Sequence, residues 1–152
     1  CIDLKGNTLV LFSLIKHGRL LHELIQEKID VSSRKAFFVF GGTDSETREE
    51  IRGIVETERD AIVVASFGVF STGINIRNLH NIIFSSPYKS RIRNLQSIGR
   101  GLRTHESKAG AKLYDIADNF NNNNHTIKHF VKRIGIYNQE EFDYEIVKIN
   151  LK

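Results

Sequence analysis

Gln96, Arg100 and Arg103, within the stretch Gln96-Ser97-Ile98-Gly99-Arg100-Gly101-Leu102-Arg103, are spaced to act together. On a helix, at about 100° per residue, they fall within roughly a 60° arc, while Leu95, Ile98 and Leu102 gather on another face. Such a helix can lay its apolar side on a sheet and present two guanidiniums at a fixed spacing. Planar guanidinium forks match phosphate oxygens, and their charge matters most where phosphoryl transfer spreads negative charge. Lys89, Arg91, Arg93, Arg100 and Arg103 follow one another with no acid between them. A solvated basic helix is therefore the plainer alternative for this stretch taken alone.

Holding those residues in place requires a sheet, and the chain supplies the strands for one. Ala61 to Ser66 is the short apolar run expected of a buried parallel strand. It leads through Phe67-Gly68-Val69-Phe70-Ser71-Thr72-Gly73-Ile74-Asn75-Ile76 to a second run, Asn81 to Ser85. Thr8 to Ser13 reads as another buried strand, and His17 to Lys28 as a helix with Leu20, Leu21, Leu24 and Ile25 on one face. Ala36 to Phe40 is a strand closed by the Gly41-Gly42 turn. Thr43, with Glu46 three residues on, is a capping-box signature that opens a helix to about Glu58. Lys112 to Ala117 is the last strand expected in the sheet, preceded by a helix over Ser90 to Arg103. Strands alternating with helices in this way predict βαβ units, hence an α/β domain with a mostly parallel sheet covered by helices.

Asn119 to Asn124 is an asparagine-rich break expected to be a surface loop. Beyond it, Ile127, Phe130, Val131 and Ile134 form a helical stripe, and Phe142, Tyr144 and Ile146 alternate as a strand would. Residues 1–118 are expected to form the main domain and residues 119–152 a helix–strand extension packed on it. No internal repeat is visible.

The chain has 152 residues, 40% of them hydrophobic and 26% charged, as in an ordinary globular domain with one core. No apolar run approaches the roughly 18 residues of a membrane span, and no signal-peptide pattern opens the chain. Cys1 has no partner for an internal disulfide, consistent with a reducing, cytoplasmic setting. A net charge of +4 favours a polyanionic partner. Methionine is absent, position 1 included, so the chain is expected to be a piece of a longer polypeptide.

The strand at Ala61, the Ser71-Thr72-Gly73 loop, the strand at Asn81 and the Gln-x-x-Gly-Arg-x-x-Arg helix, in that order, resemble motifs V and VI of superfamily 2 helicases. Gly68 to Ile74 and Lys89-Ser90-Arg91-Ile92-Arg93 resemble most the phage UvsW-type DNA repair and recombination helicases, over nearly the whole chain from about Thr8. The resemblance implies a RecA-like three-layer α/β/α domain, the second of two that face each other across an ATP cleft. The phosphate-binding loop and the acidic metal-binding motif belong to the first domain in that family. Neither Gly-x-x-x-x-Gly-Lys-Ser/Thr nor Asp-Glu-x-Asp/His occurs here. ATP with Mg2+ is therefore expected in the complete enzyme, the metal being held by the first domain, and this piece alone is expected to be inactive.

By the same resemblance Arg100 and Arg103 match the arginine fingers that reach the γ-phosphate, and Gln96 the glutamine that links the helix to the nucleotide. Gly99 permits close approach, and Gly73 and Asn75 lie towards the nucleotide. Asn75 stands where many relatives carry aspartate, so it lacks the usual charge there. Ser71, Thr72 and Gly73 are candidate contacts to a nucleic-acid phosphate, which position a strand without reading its sequence. Thr8 to Leu14 resembles motif IV, and Gly41-Gly42-Thr43 with Arg48 resembles the motif after it. Ser13 and Thr43 are further candidate phosphate contacts, with ordinary turn or cap roles as the alternative.

His125 and His129, four apart, lack a third ligand of suitable spacing, and no metal site is expected from them. Asp115 and Asp118, towards and just past the end of the Lys112 to Ala117 strand, read as turn or cap residues. The expected partners are DNA, branched or forked by the resemblance, and the first RecA-like domain, with no membrane. The rivals are another superfamily 2 motor (an RNA helicase or a restriction translocase subunit), a non-catalytic nucleic-acid-binding module, and a basic α/β domain that makes protein contacts alone.

Overall fold

The computed structural model describes residues 1–30, 32–72, 76–86, 111–119 and 125–150. The helix expected over Ser90 to Arg103 lies outside them. Five strands are described: β1 (Thr8–Phe12), β2 (Ala36–Val39), β3 (Ile62–Ser66), β4 (Asn81–Phe84) and β5 (Lys112–Asp115). They form one sheet in the order β2-β3-β1-β4-β5, and every pairing is parallel. The helices are α1 (Ile15–Lys28), α2 (Ser45–Thr57), the short α3 (Phe67–Thr72) and α4 (His125–Gln139).

The central strands β1, β3 and β4 are apolar almost throughout because both faces are covered, whereas the edge strand β5 is Lys-Leu-Tyr-Asp. Successive residues then serve opposite cores. Leu9, Leu11, Val63, Ala65, Ile82 and Phe84 point to one face, with Ile51 and Val55 of α2, Phe67 and Val69 of α3 and Tyr137 of α4. Val10, Phe12, Ile62, Val64 and Ile83 point to the other, with Ile25 of α1. The right-handed crossover rule accounts for this split: the connection from β1 runs towards β2, those from β2 and β3 run the opposite way, and their helices cover opposite faces. The result is the three-layer α/β/α arrangement expected from the sequence.

At the amino edge of the sheet Asn7 is fully buried and acts as a knot. Its Nδ2 donates to the carbonyls of Val55, Glu58 and Asn78 at 2.9, 2.8 and 2.9 Å, and its Oδ1 accepts from the Ala61 amide at 2.8 Å. A buried amide with every polar atom engaged fixes the loops it joins.

Four expectations change. On α1, Leu20 and Leu24 are 53% and 42% exposed, and Gly18 is buried in their place. The ring of Phe12 lies so close that a Cβ on Gly18 would sit 2.5 Å from it, so the helix rests on its glycine; Leu21 and Ile25 pack inward as expected, and Leu20 and Leu24 turn outward. The cap of α2 is Asp44, one residue past Thr43; its carboxylate accepts from the Thr47 amide at 2.8 Å. That bond, with one from the Thr47 hydroxyl, holds the Asp44 carboxyl below its ordinary range. On α4 the buried residues are Arg133, Ile136 and Tyr137, while Val131 is 60% exposed. Phe142 to Ile146 form no strand among the described residues. Phe142 instead packs beside Tyr137, and the Tyr144 hydroxyl donates to Asn138 Oδ1 at 3.0 Å.

Candidate functional site

All five strands being parallel, their carboxyl ends share one edge. The connection leaving β1 runs towards β2, whereas the one leaving β4 runs away towards β5. The adjacent strands β1 and β4 therefore flank a topological switch point, where open α/β sheets form their ligand crevices. The residues at its two lips are Ser13, Leu14 and His17 on one side and Ser85 and Ser86 on the other.

These lips are laced together. The Ser85 amide and hydroxyl both donate to the Leu11 carbonyl, at 3.0 and 2.7 Å. The Ser86 Oγ accepts from the Ser13 amide at 3.3 Å and lies 3.3 Å from His17 Nδ1. The Ser13 hydroxyl is buried, with no hydrogen-bond partner among the described residues. Helix α1 begins here with Leu14 as an N-cap that offers no side-chain bond and with no acid in its first turn. The first turn of α1 thus carries no acid of its own to offset the positive end of the helix dipole.

Strand β3 passes into α3 without a loop, since the Ser66 hydroxyl accepts from the Val69 amide at 3.4 Å and Phe67 and Val69 are buried. Ser71 and Thr72, expected in a loop, are the last residues of this short helix. Gly73 and Asn75, and likewise Gln96, Gly99, Arg100 and Arg103, lie outside the described residues. Thr43 is half-buried, and its hydroxyl accepts from the Phe40 amide at 3.1 Å, closing the turn after β2. The Thr43 carbonyl in turn accepts from Arg48 Nε at 2.7 Å.

A cluster the sequence did not reveal stands where β5 ends. Arg133 of α4 grips Asp115 with two bonds, Nε to Oδ2 at 2.6 Å and Nη2 to Oδ1 at 2.8 Å. The Tyr137 hydroxyl donates to Asp115 Oδ2 at 2.7 Å. Burial, and then the adjacent Asp115 charge, push the Tyr137 hydroxyl well above its ordinary range. Both charged side chains are almost wholly inside, at 5% and 8% exposure. The one trace in the sequence is the i, i+4 spacing of Arg133 and Tyr137, which puts them on one helix face. Among the described residues no group of three or more His, Cys, Asp or Glu could hold a metal ion. No described helix is long and apolar enough to cross a membrane.

Residues 2–105 match the helicase conserved C-terminal domain. The chain belongs to that family. The match spans both the crevice between β1 and β4 and the Gln96-to-Arg103 stretch, and it ends before β5. Over 158 aligned positions this helicase domain is 36% identical to the ATP-dependent DNA helicase uvsW of Enterobacteria phage T4, which covers 95% of the chain and 31% of the relative. The chain thus spans about a third of the length of that relative. A shorter likeness, 40% identity over 53 residues, links it to the putative ATP-dependent helicase IRC3 of Saccharomyces cerevisiae, covering 35% of the chain and 8% of that protein. Among solved structures, domain 2 of the DEAD-box helicase Mss116p bound to an RNA duplex is similar at 14% identity and a TM-score of 0.40, over 73% of the chain and 54% of that structure. The parallel sheet with helices on both faces is the RecA-like arrangement expected of a helicase C-terminal domain.

Proposed function

We propose that this domain is the second RecA-like half of an ATP-dependent DNA helicase or translocase that works on branched DNA such as forks and recombination intermediates. ATP binds between it and a first RecA-like domain of the same polypeptide. Arg100 and Arg103 reach the γ-phosphate from this side, Gln96 links their helix to the nucleotide, and Gly73, Asn75 and Gly99 line the approach. A guanidinium aimed at the transferring phosphoryl group lowers the barrier because its attraction grows as charge spreads over the equatorial oxygens. Ser71, Thr72 and Gly73 hold the nucleic-acid backbone, with Ser13 and Thr43 as further contacts. Cleft closure and opening then move the held strand relative to the first domain. Magnesium belongs to the first domain in this reading.

The observation that carries the reading is the family match across the whole interval from β1 to Arg103, joined to 36% identity with an ATP-dependent DNA helicase. The deciding experiment joins this domain to its first domain and compares Arg100→Ala and Arg103→Ala with the parent. Turnover of ATP should fall by a factor approaching the roughly 10³–10⁵ of arginine fingers, with less lost per residue where two share the task. DNA affinity should change little, and Arg→Lys should not restore the rate, because an ammonium lacks the planar fork. Unchanged turnover with collapsed DNA affinity would instead make this helix a DNA-binding surface. Measuring the stimulation on forked, single-stranded and plain duplex DNA tests the branched substrate.

A further inference from the structure

The sequence motifs give no role to His17, yet it stands at the switch-point crevice with its Nδ1 3.3 Å from the Ser86 hydroxyl. Ser86 is buried, and its Oγ already accepts from the Ser13 amide. The hydroxyl proton is then free to go to His17 Nδ1, which accepts when the ring carries its proton on Nε2. Ser85, next to it, is bound twice to the Leu11 carbonyl. Two successive serines thus fasten the exit of β4 to the end of β1 and the start of α1. Pro87 follows immediately and favours an extended backbone at Ser86. From there the chain enters the stretch that carries Gln96, Arg100 and Arg103.

We propose that His17 is a positioning residue that, through Ser86, latches the exit of β4 to the β1–α1 turn and so fixes the point from which the arginine-bearing segment departs. The latch also ties the exit of β4 to Ser13, a candidate phosphate contact under the proposed function. This inference rests on the reading of Arg100 and Arg103 as phosphate-reaching groups. Catalytic geometry is sensitive to such anchors: a displacement of about 1 Å transmitted from a remote residue can lower a rate by about 10²-fold.

The test uses the domain joined to its first domain, with DNA-stimulated ATP turnover measured for His17→Ala, Ser86→Ala, the double variant, His17→Asn and Arg100→Ala. Thermal unfolding of each confirms a folded protein. His17→Ala and Ser86→Ala should each lower kcat by roughly 10-fold with the KM for ATP little changed, the signature of a lost transition-state arrangement rather than lost binding. The double variant should be no worse than the worse single one, because both cut the same latch. His17→Asn places an amide oxygen near the position of Nδ1 and should recover most of the rate. Wild-type turnover in His17→Ala, a double variant at the product of the two losses, or failure of His17→Asn to recover would each overturn the latch. If Arg100→Ala abolishes turnover while His17→Ala does not alter it, the latch alone fails. If Arg100→Ala is also silent, the arginine-finger reading fails with it.

Discussion

Replacing Asp115 with alanine removes the carboxylate that receives two bonds from Arg133 and one from Tyr137. Arg133 is 4% exposed, so its guanidinium cannot regain water without opening the contact between α4 and β5. Breaking a buried pair by removing one partner costs about 3–5 kcal/mol, because the remaining charge keeps its desolvation penalty. The Tyr137 hydroxyl loses its acceptor at the same time, but the losses share one network and do not simply add. Against a typical total of about 5–15 kcal/mol, this leaves a domain that unfolds at markedly lower urea. For a chain of this size the melting temperature should drop by roughly 10 °C or more. Urea titration at neutral pH with an unchanged m-value gives the number. The paired replacement Asp115→Leu with Arg133→Met removes both charges and keeps volume, so it should lose far less than Asp115→Ala. A single-variant loss under about 1 kcal/mol would show that water reaches Arg133 after all. A double variant as unstable as the single one would show that packing, not the unpaired charge, sets the loss.

Two further outcomes follow from the same packing. The Tyr137 hydroxyl has its folded-state value raised, so its contribution is complete below the ordinary tyrosine value of 10.0 and is lost as pH rises beyond it, when the unfolded chain ionises first. Unfolding measured from neutral to strongly alkaline pH should show a fall in stability above about pH 10 that Tyr137→Phe makes shallower; an identical slope in both would disprove the assignment. Gly18→Ala should destabilise although alanine suits a helix better by about 1 kcal/mol. The added Cβ would meet the buried Phe12 ring at 2.5 Å, and overpacking of this kind costs about 1–3 kcal/mol. Combining it with Phe12→Leu should return part of the loss, and a stabilised Gly18→Ala would show that the helix can shift freely.

The sheet was legible in the sequence because a strand buried on both faces must be apolar along its whole length, as Leu9 to Phe12 and Ile62 to Ala65 are. What escaped were choices between neighbours of similar chemistry. Thr43 and Asp44 can each cap a helix, and only the folded turn shows Thr43 closing on Phe40 while Asp44 reaches Thr47. Half of the α1 face was misjudged: Leu21 and Ile25 pack inward as read, but counting apolar residues gives no weight to Gly18, whose missing side chain brings the helix onto Phe12 and leaves Leu20 and Leu24 outside. Alternation in Phe142, Tyr144 and Ile146 shows that a segment can be a strand, not that a free sheet edge lies within its reach. Asp115 and Arg133 are far apart in sequence, and an arginine in a helix without acids reads as solvated until its partner strand is in place.

The candidate site divides along the same line. Gln96, Arg100 and Arg103 share one arc of a helix pattern, and the resemblance to motif VI is what singles them out as candidate phosphate contacts. Residues that hold such an element in place have no spacing to keep. His17, Ser86 and Ser13 meet only because β1 and β4 are neighbours, which requires β4 to be added on the side of β1 away from β3. Strand order is set by crossover handedness and by which faces must be covered, and it leaves no local mark on the three residues it brings together. A sequence can therefore display candidate phosphate-binding groups by their spacing while leaving no local mark on the residues proposed to position them. The variants most able to separate a motor domain from a bland α/β scaffold then include His17 and Ser86 as well as the arginines.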